Sequence, residues 1–201
     1  MAAWWARCFH QMQTTAMEIK EQKRELRRLI RQAKPNLTQE AYMAAGRQLA
    51  DALITRDDIC EADTIVAYWP LPDELNTGPF IMECIRRGKK IFLPVIVGKE
   101  LVFRQFTGYK CLAREPQFGI LEPQGTDELG TASAGKGVII IAPGMAFTAD
   151  GRRLGRGRGF YDRAFTVLAE ARKIGVGYKC QIVRDIPVEP HDATMDAVVG
   201  I

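Results

Sequence analysis

The chain has 201 residues, of which 47% are hydrophobic and 26% are charged, and its formal net charge is +4. These ordinary values exclude a disordered, collagen-like or disulfide-stapled chain and are typical of one globular domain. No apolar run has the length of a membrane span, and so small a net charge points to no partner by itself.

The predicted elements begin with a helix over residues 17–34, ended by Pro35, with apolar residues at Ile19, Leu26, Leu29, Ile30 and Ala33. Thr38 is the predicted N-cap of a second helix that ends near residue 54, with Ala45, Leu49 and Ala52 facing inward. Further helices are predicted over residues 77–87 and 160–171. Strands are predicted over residues 64–69, 91–94, 95–97, 101–106, 138–142 and 173–178.

Alternating strands and helices predict an α/β fold with a mostly parallel central sheet, flanked by helices on both faces in three layers. The first two helices form an N-terminal helical pair. Residues 107–137 are predicted to be rich in loops and partly helical. We set residues 1–16 apart, because the regular pattern starts at Met17, and we expect 17–201 to form a single domain. A short amphipathic anchor is the alternative for residues 1–16.

The five cysteines are scattered without a C-x-x-C pair, which is typical of free thiols in a cytoplasmic protein. Only two histidines are present, so a zinc-type site is not expected.

The positive charge is concentrated in two segments. Residues 18–34 carry seven basic and three acidic side chains, and residues 152–163 carry five basic and one acidic. The rest of the chain has 16 basic and 20 acidic residues. The sequence therefore describes a slightly acidic body with two positive segments.

The second segment contains three glycines at alternate positions, Gly155, Gly157 and Gly159, just before a predicted helix. Glycines let the backbone approach an anion closely, and a helix N-terminus adds partial positive charge. Arg153, Arg156 and Arg158 can add bidentate contacts to phosphate oxygens. The pattern is neither a Walker loop nor a Rossmann fingerprint. It favours a phosphate site over a flexible surface loop or an RGG-like nucleic-acid segment.

Other polar and aromatic residues have two interpretations each. Asp162 follows the loop and suits Mg²⁺ beside phosphates, or simply the first turn of a helix. Asp192 and Asp196 share a face if their segment is helical, or belong to a solvated acidic turn. Glu74 follows a strand end and can face the site. Trp69 suits a flat heterocycle, although core packing is the commoner use.

Residues 153–163, Arg-Leu-Gly-Arg-Gly-Arg-Gly-Phe-Tyr-Asp-Arg, closely resemble the RLGRGxGYYD signature of 5-formyltetrahydrofolate cyclo-ligases. Weaker matches occur in the family's order at residues 23–27, 68–77, 119–123, 181 and 187–196. One departure is Phe160, where many members carry tyrosine, and residues 1–16 have no counterpart.

The resemblance implies an ATP-dependent, Mg²⁺-requiring closure of 5-formyltetrahydrofolate to 5,10-methenyltetrahydrofolate, with release of ADP and phosphate. In the family's mechanism the formyl oxygen attacks the γ-phosphate, and the folate's N10 then attacks the resulting iminium phosphate. Such chemistry depends on positioning and charge stabilisation rather than on a protein nucleophile.

The resemblance also implies roles for residues. The implied ATP contacts are Lys23, Arg24, Arg27, Arg153, Leu154, Gly155, Arg156, Gly157, Arg158, Gly159, Phe160 and Tyr161. The implied folate contacts are Trp69, Glu74 and Tyr161, with Glu74 a hydrogen-bond partner for pterin N–H groups. The implied metal ligands are Asp162 and Asp196, and the implied catalytic residues are Arg156, Arg158 and Tyr161.

The partners implied are the two small-molecule substrates, with no nucleic acid or membrane and with a monomeric chain. An RNA-binding module that uses both basic segments is one competing hypothesis, and it predicts steeply salt-dependent RNA binding. A different ATP-dependent folate or nucleotide enzyme on the same scaffold is another, which a panel of substrates would separate.

Overall fold

The computed structural model describes residues 2–115, 119–130 and 135–201, with side chains from Glu18 onward. Its helices are α1 (Ala2–Ala33), α2 (Gln39–Ile54), α3 (Asp57–Glu61), α4 (Gly78–Arg86) and α5 (Phe160–Val167). Its strands are β1 (Thr64–Val66), β2 (Lys90–Val97), β3 (Glu100–Gln105), β4 (Leu112–Arg114), β5 (Leu121–Pro123), β6 (Val138–Ala142), β7 (Ala146–Phe147), β8 (Arg153–Leu154), β9 (Arg172–Gly177) and β10 (Ala197–Gly200).

The main sheet has six strands in the order β10-β9-β6-β1-β2-β3. All neighbouring pairs are parallel except β2 and β3, which form an antiparallel hairpin at one edge. At the centre, Ile65 of β1 lies between Ile91 of β2 and Ile139 of β6. Every residue of β6 is buried, as its continuous β-branched run predicts for a strand covered on both faces.

Separate apolar clusters cover the two faces of the sheet. On one face α2 and α4 contribute Leu49, Leu53 and Phe80. On the other face α5 contributes Phe165, which packs in a cluster with Phe147. The predicted three-layer α/β architecture is therefore confirmed, together with the N-terminal helices α1 and α2.

The first helix differs from its prediction in start and in orientation. It begins at Ala2 rather than Met17, since the added alanines, methionine and glutamines are tolerated or favoured in helices. Its inward face carries Ile30 and also Lys23, which is only 5% exposed, whereas Leu29 is 47% exposed. The predicted inward position of Leu29 is therefore wrong. The face of α1 that carries Lys23 turns toward carboxylates from distant segments, and this leaves Leu29 exposed.

Several other boundaries also shift. In α2, Thr38 caps the helix as predicted, but Ala52 is exposed, and Leu53 and Ile54 are buried in its place. Strand β1 ends at Val66 instead of residue 69, and α5 ends at Val167 instead of residue 171. Strand β10 was not predicted. The segment 107–137 contains the antiparallel β4–β5 hairpin, although parts of it lie outside the described residues.

The loop that follows β6 is held by one buried glutamine. Gln181 donates from Nε2 to the carbonyl oxygens of Gly144 (2.7 Å) and Met145 (3.0 Å). The chain then forms the small β7–β8 hairpin and continues into the glycine-rich loop. The segment between β6 and the glycine-rich loop is thus anchored by Gln181 at its start and by the β7–β8 hairpin at its end. The glycine-rich loop consequently lies at the carboxyl edge of the parallel strands. Among the described residues, no helix combines the length and the apolar character needed to cross a membrane.

We predict that Gly151→Ala destabilises the fold strongly. Gly151 has a φ of 94°, and an added Cβ would lie 2.2 Å from the carbonyl oxygen of Met195. The control Gly98→Ala, at a φ of 63° with open space around it, suffers backbone strain alone. We expect a loss of about 1 kcal/mol in the free energy of unfolding for the control and at least about 3 kcal/mol for Gly151→Ala. Urea denaturation measures both, and equal losses would contradict the steric argument.

Candidate active site at the carboxyl edge of the sheet

A cleft of about 320 Å³ opens where β1 and β6 end. Its floor and walls come from the segments that follow these strands, from the β2–β3 hairpin and from the glycine-rich loop. The residues that line it are Tyr68, Trp69, Leu71, Glu74, Pro94, Ile96, Leu101, Ile120, Glu122, Pro143, Gly144, Arg153, Gly155, Arg156, Gly157, Arg158, Gly159, Phe160, Tyr161 and Asp162. This is the edge at which open α/β sheets bind ligands.

The glycine-rich loop enters the cleft in a conformation that requires glycine. Gly157 and Gly159 have φ values of 97° and 68°, and α5 starts directly after Gly159. A Cβ on Gly157 would lie 3.4 Å from the guanidinium carbon of Arg27, so the loop packs closely against α1. Successive backbone N–H groups in such a loop, followed by a helix N-terminus, form a concave anion site.

The guanidinium of Arg153 is buried below the loop, with 7% of the residue exposed. It donates from Nε to the carbonyl oxygen of Pro143 (2.9 Å) and from Nη1 to Oδ1 of Asp162 (3.3 Å). It also lies 5.1 Å from the ring centroid of Tyr161. Desolvation lowers its pKa, but a guanidinium in proteins remains charged. Arg153 therefore fixes the first turn of α5 relative to the end of β6.

The second arginine of the loop, Arg156, spans the cleft to the acidic turn after β1. Its guanidinium donates to Oε1 of Glu74 from Nε (3.1 Å) and Nη2 (2.9 Å), and to Oδ1 of Asp73 (2.6 Å). Glu74 is 8% exposed, and its other oxygen accepts from the amide of Leu71 (3.1 Å). Arg156 is thus neutralised by two carboxylates.

The phenol of Tyr161 lines the cleft and is otherwise buried. Among the described residues its hydroxyl has no hydrogen-bond partner, although its atom is inaccessible to solvent. Burial, with a further contribution from Glu74, raises the pKa of Tyr161 well above its usual range, so the phenol stays protonated at neutral pH. A buried hydroxyl without a partner is costly, and it marks a position where a polar ligand group would be stabilised.

Helix α1 contributes its basic edge to the same region. Arg27 donates from Nε to the carbonyl oxygen of Gly155 (2.8 Å). One turn earlier, Lys23 is buried between Oε2 of Glu189 (2.8 Å) and Oδ2 of Asp192 (2.5 Å). The two positive segments of the sequence therefore meet, although about 130 residues separate them.

The aromatic candidates occupy different positions. Trp69 lines the cleft and packs edge to face on Tyr109, with ring centroids 5.5 Å apart. It also lies 5.6 Å from the ring of Phe106. Phe160 lines the cleft as well, and the guanidinium of Arg163 lies 5.4 Å from its ring centroid. The sequence left two roles open for Trp69, core packing and contact with a ligand. Its position, packed on other aromatic rings and lining the cleft, suits both roles.

Three candidates lie elsewhere. Arg24 is exposed to solvent and pairs with Glu21 (2.6 Å), one turn earlier on α1. Leu154 is buried in a small apolar cluster beneath the loop. Asp196 precedes β10, and its Oδ2 accepts a hydrogen bond from the amide of Lys173 (2.6 Å).

The expected metal pair of Asp162 and Asp196 is therefore not brought together. Asp196 lies at the amino edge of the parallel strands, whereas Asp162 lines the cleft at the carboxyl edge. The physical reason is that Asp196 directly precedes β10, a parallel strand, and its carboxylate is held there by the amide of Lys173. In addition, residues 187–196 are not helical, since Pro187 and Pro190 interrupt them. Asp192 and Asp196 therefore do not share a helical face. Of these two aspartates, Asp192 is the one that contacts α1, through Lys23.

Glu122 was missing from the candidate residues. It lines the cleft from β5, is 4% exposed, and accepts a hydrogen bond at Oε1 from the amide of Ile96 (3.0 Å). A signal was present in the sequence, since Glu122 belongs to the matched segment 119–123. Its role needed the fold, because only the packing of the β4–β5 hairpin against β2 brings it to the cleft.

The fold and the site define a three-layer α/β protein with a glycine-rich, arginine-rich loop beside an apolar cleft. Residues 19–200 match the model of the 5-formyltetrahydrofolate cyclo-ligase family. The chain is 32% identical over 176 residues to the 5-formyltetrahydrofolate cyclo-ligase of Escherichia coli K12, covering 85% of this chain and 96% of that one. It is 26% identical over 194 residues to the mouse 5-formyltetrahydrofolate cyclo-ligase, covering 92% and 96%.

A solved structure supports the same assignment. The 5,10-methenyltetrahydrofolate synthetase of Aquifex aeolicus superposes with a TM-score of 0.76 at 27% identity, covering 89% of each chain. The chain belongs to the 5-formyltetrahydrofolate cyclo-ligase family.

We predict that the ion pairs of Lys23 give the stability a dependence on pH. The hydrogen bond from Lys23 lowers the pKa of Glu189 below its ordinary 4.5. The stability that this ion pair contributes is fully present above the ordinary pKa of 4.5, and it is lost as the pH falls through the lowered pKa of Glu189. Lys23→Met should therefore be less stable than wild type at pH 7, with a difference that narrows in acid.

Urea denaturation between pH 7 and pH 3 measures this difference. The control Lys20→Met removes an exposed lysine from the same helix and should show almost no difference at any pH. A stability difference for Lys23→Met that stays constant across the range would contradict the assignment.

Proposed function

We propose that the protein catalyses the ATP- and Mg²⁺-dependent closure of 5-formyltetrahydrofolate to 5,10-methenyltetrahydrofolate, releasing ADP and phosphate. One observation carries the proposal: the basic edge of α1 and the glycine-rich loop meet beside a mainly apolar cleft with a tryptophan in its wall. A polyphosphate and a flat heterocycle need these two environments next to each other.

The residues in and beside the cleft suit a nucleoside triphosphate. The positive φ angles of Gly157 and Gly159 turn the loop so that the guanidinium groups of Arg27 and Arg163 lie directly beside its backbone. Arg27, Arg156 and Lys23 supply positive charge around that position. Their present partners are carboxylates and a carbonyl, which are groups that phosphate oxygens can replace as acceptors.

Asp162 fits a magnesium ligand, since it is a partly accessible carboxylate that follows the loop directly. Mg²⁺ binds through one or two carboxylates together with phosphate oxygens and water. Bound there, it would neutralise charge on the phosphates. Asp192 is a more suitable second carboxylate than Asp196, because it lies beside Lys23 on the side of α1.

Two bond exchanges make up the proposed reaction. The formyl oxygen forms a bond to the γ-phosphorus while the bond from that phosphorus to ADP breaks. N10 of the folate then bonds to the formyl carbon and loses its proton, and phosphate leaves with the oxygen. The chain has to align the formyl oxygen with the phosphate and to stabilise charge, which are the tasks of Arg156, Arg158 and the Tyr161 hydroxyl.

Trp69 and Glu74 are the proposed contacts for the folate. Glu74 is held in place by the Leu71 amide and by Arg156, so its position is fixed before a ligand binds. We further propose a cytoplasmic monomer; the described cysteines Cys60, Cys84, Cys111 and Cys180 are free thiols, which suits a reducing compartment.

The activity can be measured directly. Purified protein with ATP, MgCl₂ and 5-formyltetrahydrofolate should generate the strongly absorbing methenyl product. The rate should vanish when ATP is omitted, and chelation of the divalent cation with EDTA should abolish it reversibly. A flat absorbance trace at saturating substrates and magnesium would overturn the proposed function.

We predict that Arg156→Ala lowers kcat by about 100-fold, because it removes a charge that stabilises the transferred phosphate. The matched control is Arg86→Ala, which removes an exposed arginine that pairs with Glu83 on the far helix α4. Steady-state kinetics with ATP and folate varied in turn compares the two variants. If both variants retain the wild-type rate, the glycine-rich loop is not the phosphate site.

A further inference from the structure

The buried carboxylate of Glu122 differs from every other acidic group in the cleft. Asp162 is paired with Arg153, and Glu74 is paired with Arg156. Within the described residues, no lysine or arginine lies at salt-bridge distance from Glu122, and one backbone amide donates to its Oε1. A carboxylate with two oxygens has about four acceptor positions, and among the described residues one of them is used.

The surroundings of Glu122 are apolar. Pro94, Ile96, Leu101 and Ile120 line the same part of the cleft and leave the residue only 4% exposed. Burial raises the pKa of Glu122 above its ordinary value. Arg104 acts on Glu122 only from beyond salt-bridge distance. A carboxylate buried without a directly paired cation is costly, and hydrogen-bond donors from a ligand would lower that cost.

We propose that Glu122 accepts hydrogen bonds from the paired donors of the pterin ring, its exocyclic 2-amino group and the adjacent ring N–H. These two parallel N–H groups match a carboxylate in the way that a guanidinium does. Glu122 is thereby the residue that makes the cleft specific for a 2-amino-4-oxo heterocycle. This inference rests on the proposed function, because it assigns the folate to this cleft.

Glu74 is less suited to that role. Its Oε1 receives two hydrogen bonds from Arg156, and its Oε2 receives one from the amide of Leu71. A ligand donor would have to displace a charged guanidinium from Glu74, whereas it meets no such competitor at Glu122. The two carboxylates therefore divide the work: Glu74 positions Arg156, and Glu122 recognises the heterocycle.

The test combines a change in the residue with a change in the ligand. Glu122→Gln keeps an oxygen for the amide of Ile96 but replaces an acceptor with an NH₂ donor. We expect the KM for 5-formyltetrahydrofolate to rise about 10- to 100-fold, the size expected for lost hydrogen bonds to a charged group, with the KM for ATP unchanged. The control Glu128→Gln alters an exposed glutamate that pairs with Arg104 and should leave both constants unchanged.

The second ligand is the analogue of 5-formyltetrahydrofolate in which a methyl group replaces the 2-amino group. Wild type should discriminate against it by at least about 10-fold in kcat/KM, and Glu122→Gln should discriminate much less. Thermal unfolding of each variant shows whether it has folded.

The failures of the two proposals are distinguishable. A wild-type protein that forms no methenyl product contradicts the proposed function. An active wild type that accepts the analogue as well as the parent folate overturns the role of Glu122, whether or not the variant folds. A folded Glu122→Gln variant with unchanged KM for the folate overturns it as well.

Discussion

The burial of the Arg153 guanidinium is the constraint on which the rest of the site depends. A buried cation is stable only when it is paired and hydrogen-bonded, and here Pro143 and Asp162 supply both kinds of partner. Because Pro143 directly follows β6 and Asp162 lies in the first turn of α5, the hydrogen bonds of this one side chain join the sheet to the helix. The intervening loop is consequently held at both ends, and the ring of Tyr161, a residue that lines the cleft, is placed against the guanidinium.

Two other cations of the site, Lys23 and Arg156, are each neutralised by carboxylates from the acidic body of the protein. Lys23 lies between Glu189 and Asp192, and Arg156 contacts both Asp73 and Glu74. A polyphosphate that binds to these cations has to replace or share existing partners. In the proposed function, binding of a polyphosphate therefore replaces existing ion pairs with new ones, because these cations are already neutralised. The small net charge of +4 agrees with this balance.

Local patterns in the sequence predicted the central sheet and the glycine-rich loop, because runs of β-branched residues and alternate glycines favour particular backbone conformations without help from distant residues. Features that depend on distant partners escaped prediction. Lys23 is buried by carboxylates more than 160 residues away, which overrides the apolar stripe that Leu29 suggested. Asp196 was paired with Asp162 by resemblance, but the hydrogen bond to the amide of Lys173 holds it at the opposite edge of the sheet. Glu122 reaches the cleft through a short hairpin whose position no local pattern reports.

The contrast between Glu74 and Glu122 connects the two halves of the cleft. Arg156 belongs to the glycine-rich loop, and it donates to the carboxylate of Glu74 on the side of the cleft that we propose for the folate. In the proposed reaction, phosphate oxygens that bind Arg156 would free the Oε1 atom of Glu74 as a hydrogen-bond acceptor inside the cleft. Among the described residues no cation lies at salt-bridge distance from Glu122, so in this proposal its capacity to accept hydrogen bonds does not change with the nucleotide. Recognition of the heterocycle can thus be constant, while the environment of the reacting group depends on whether ATP is bound.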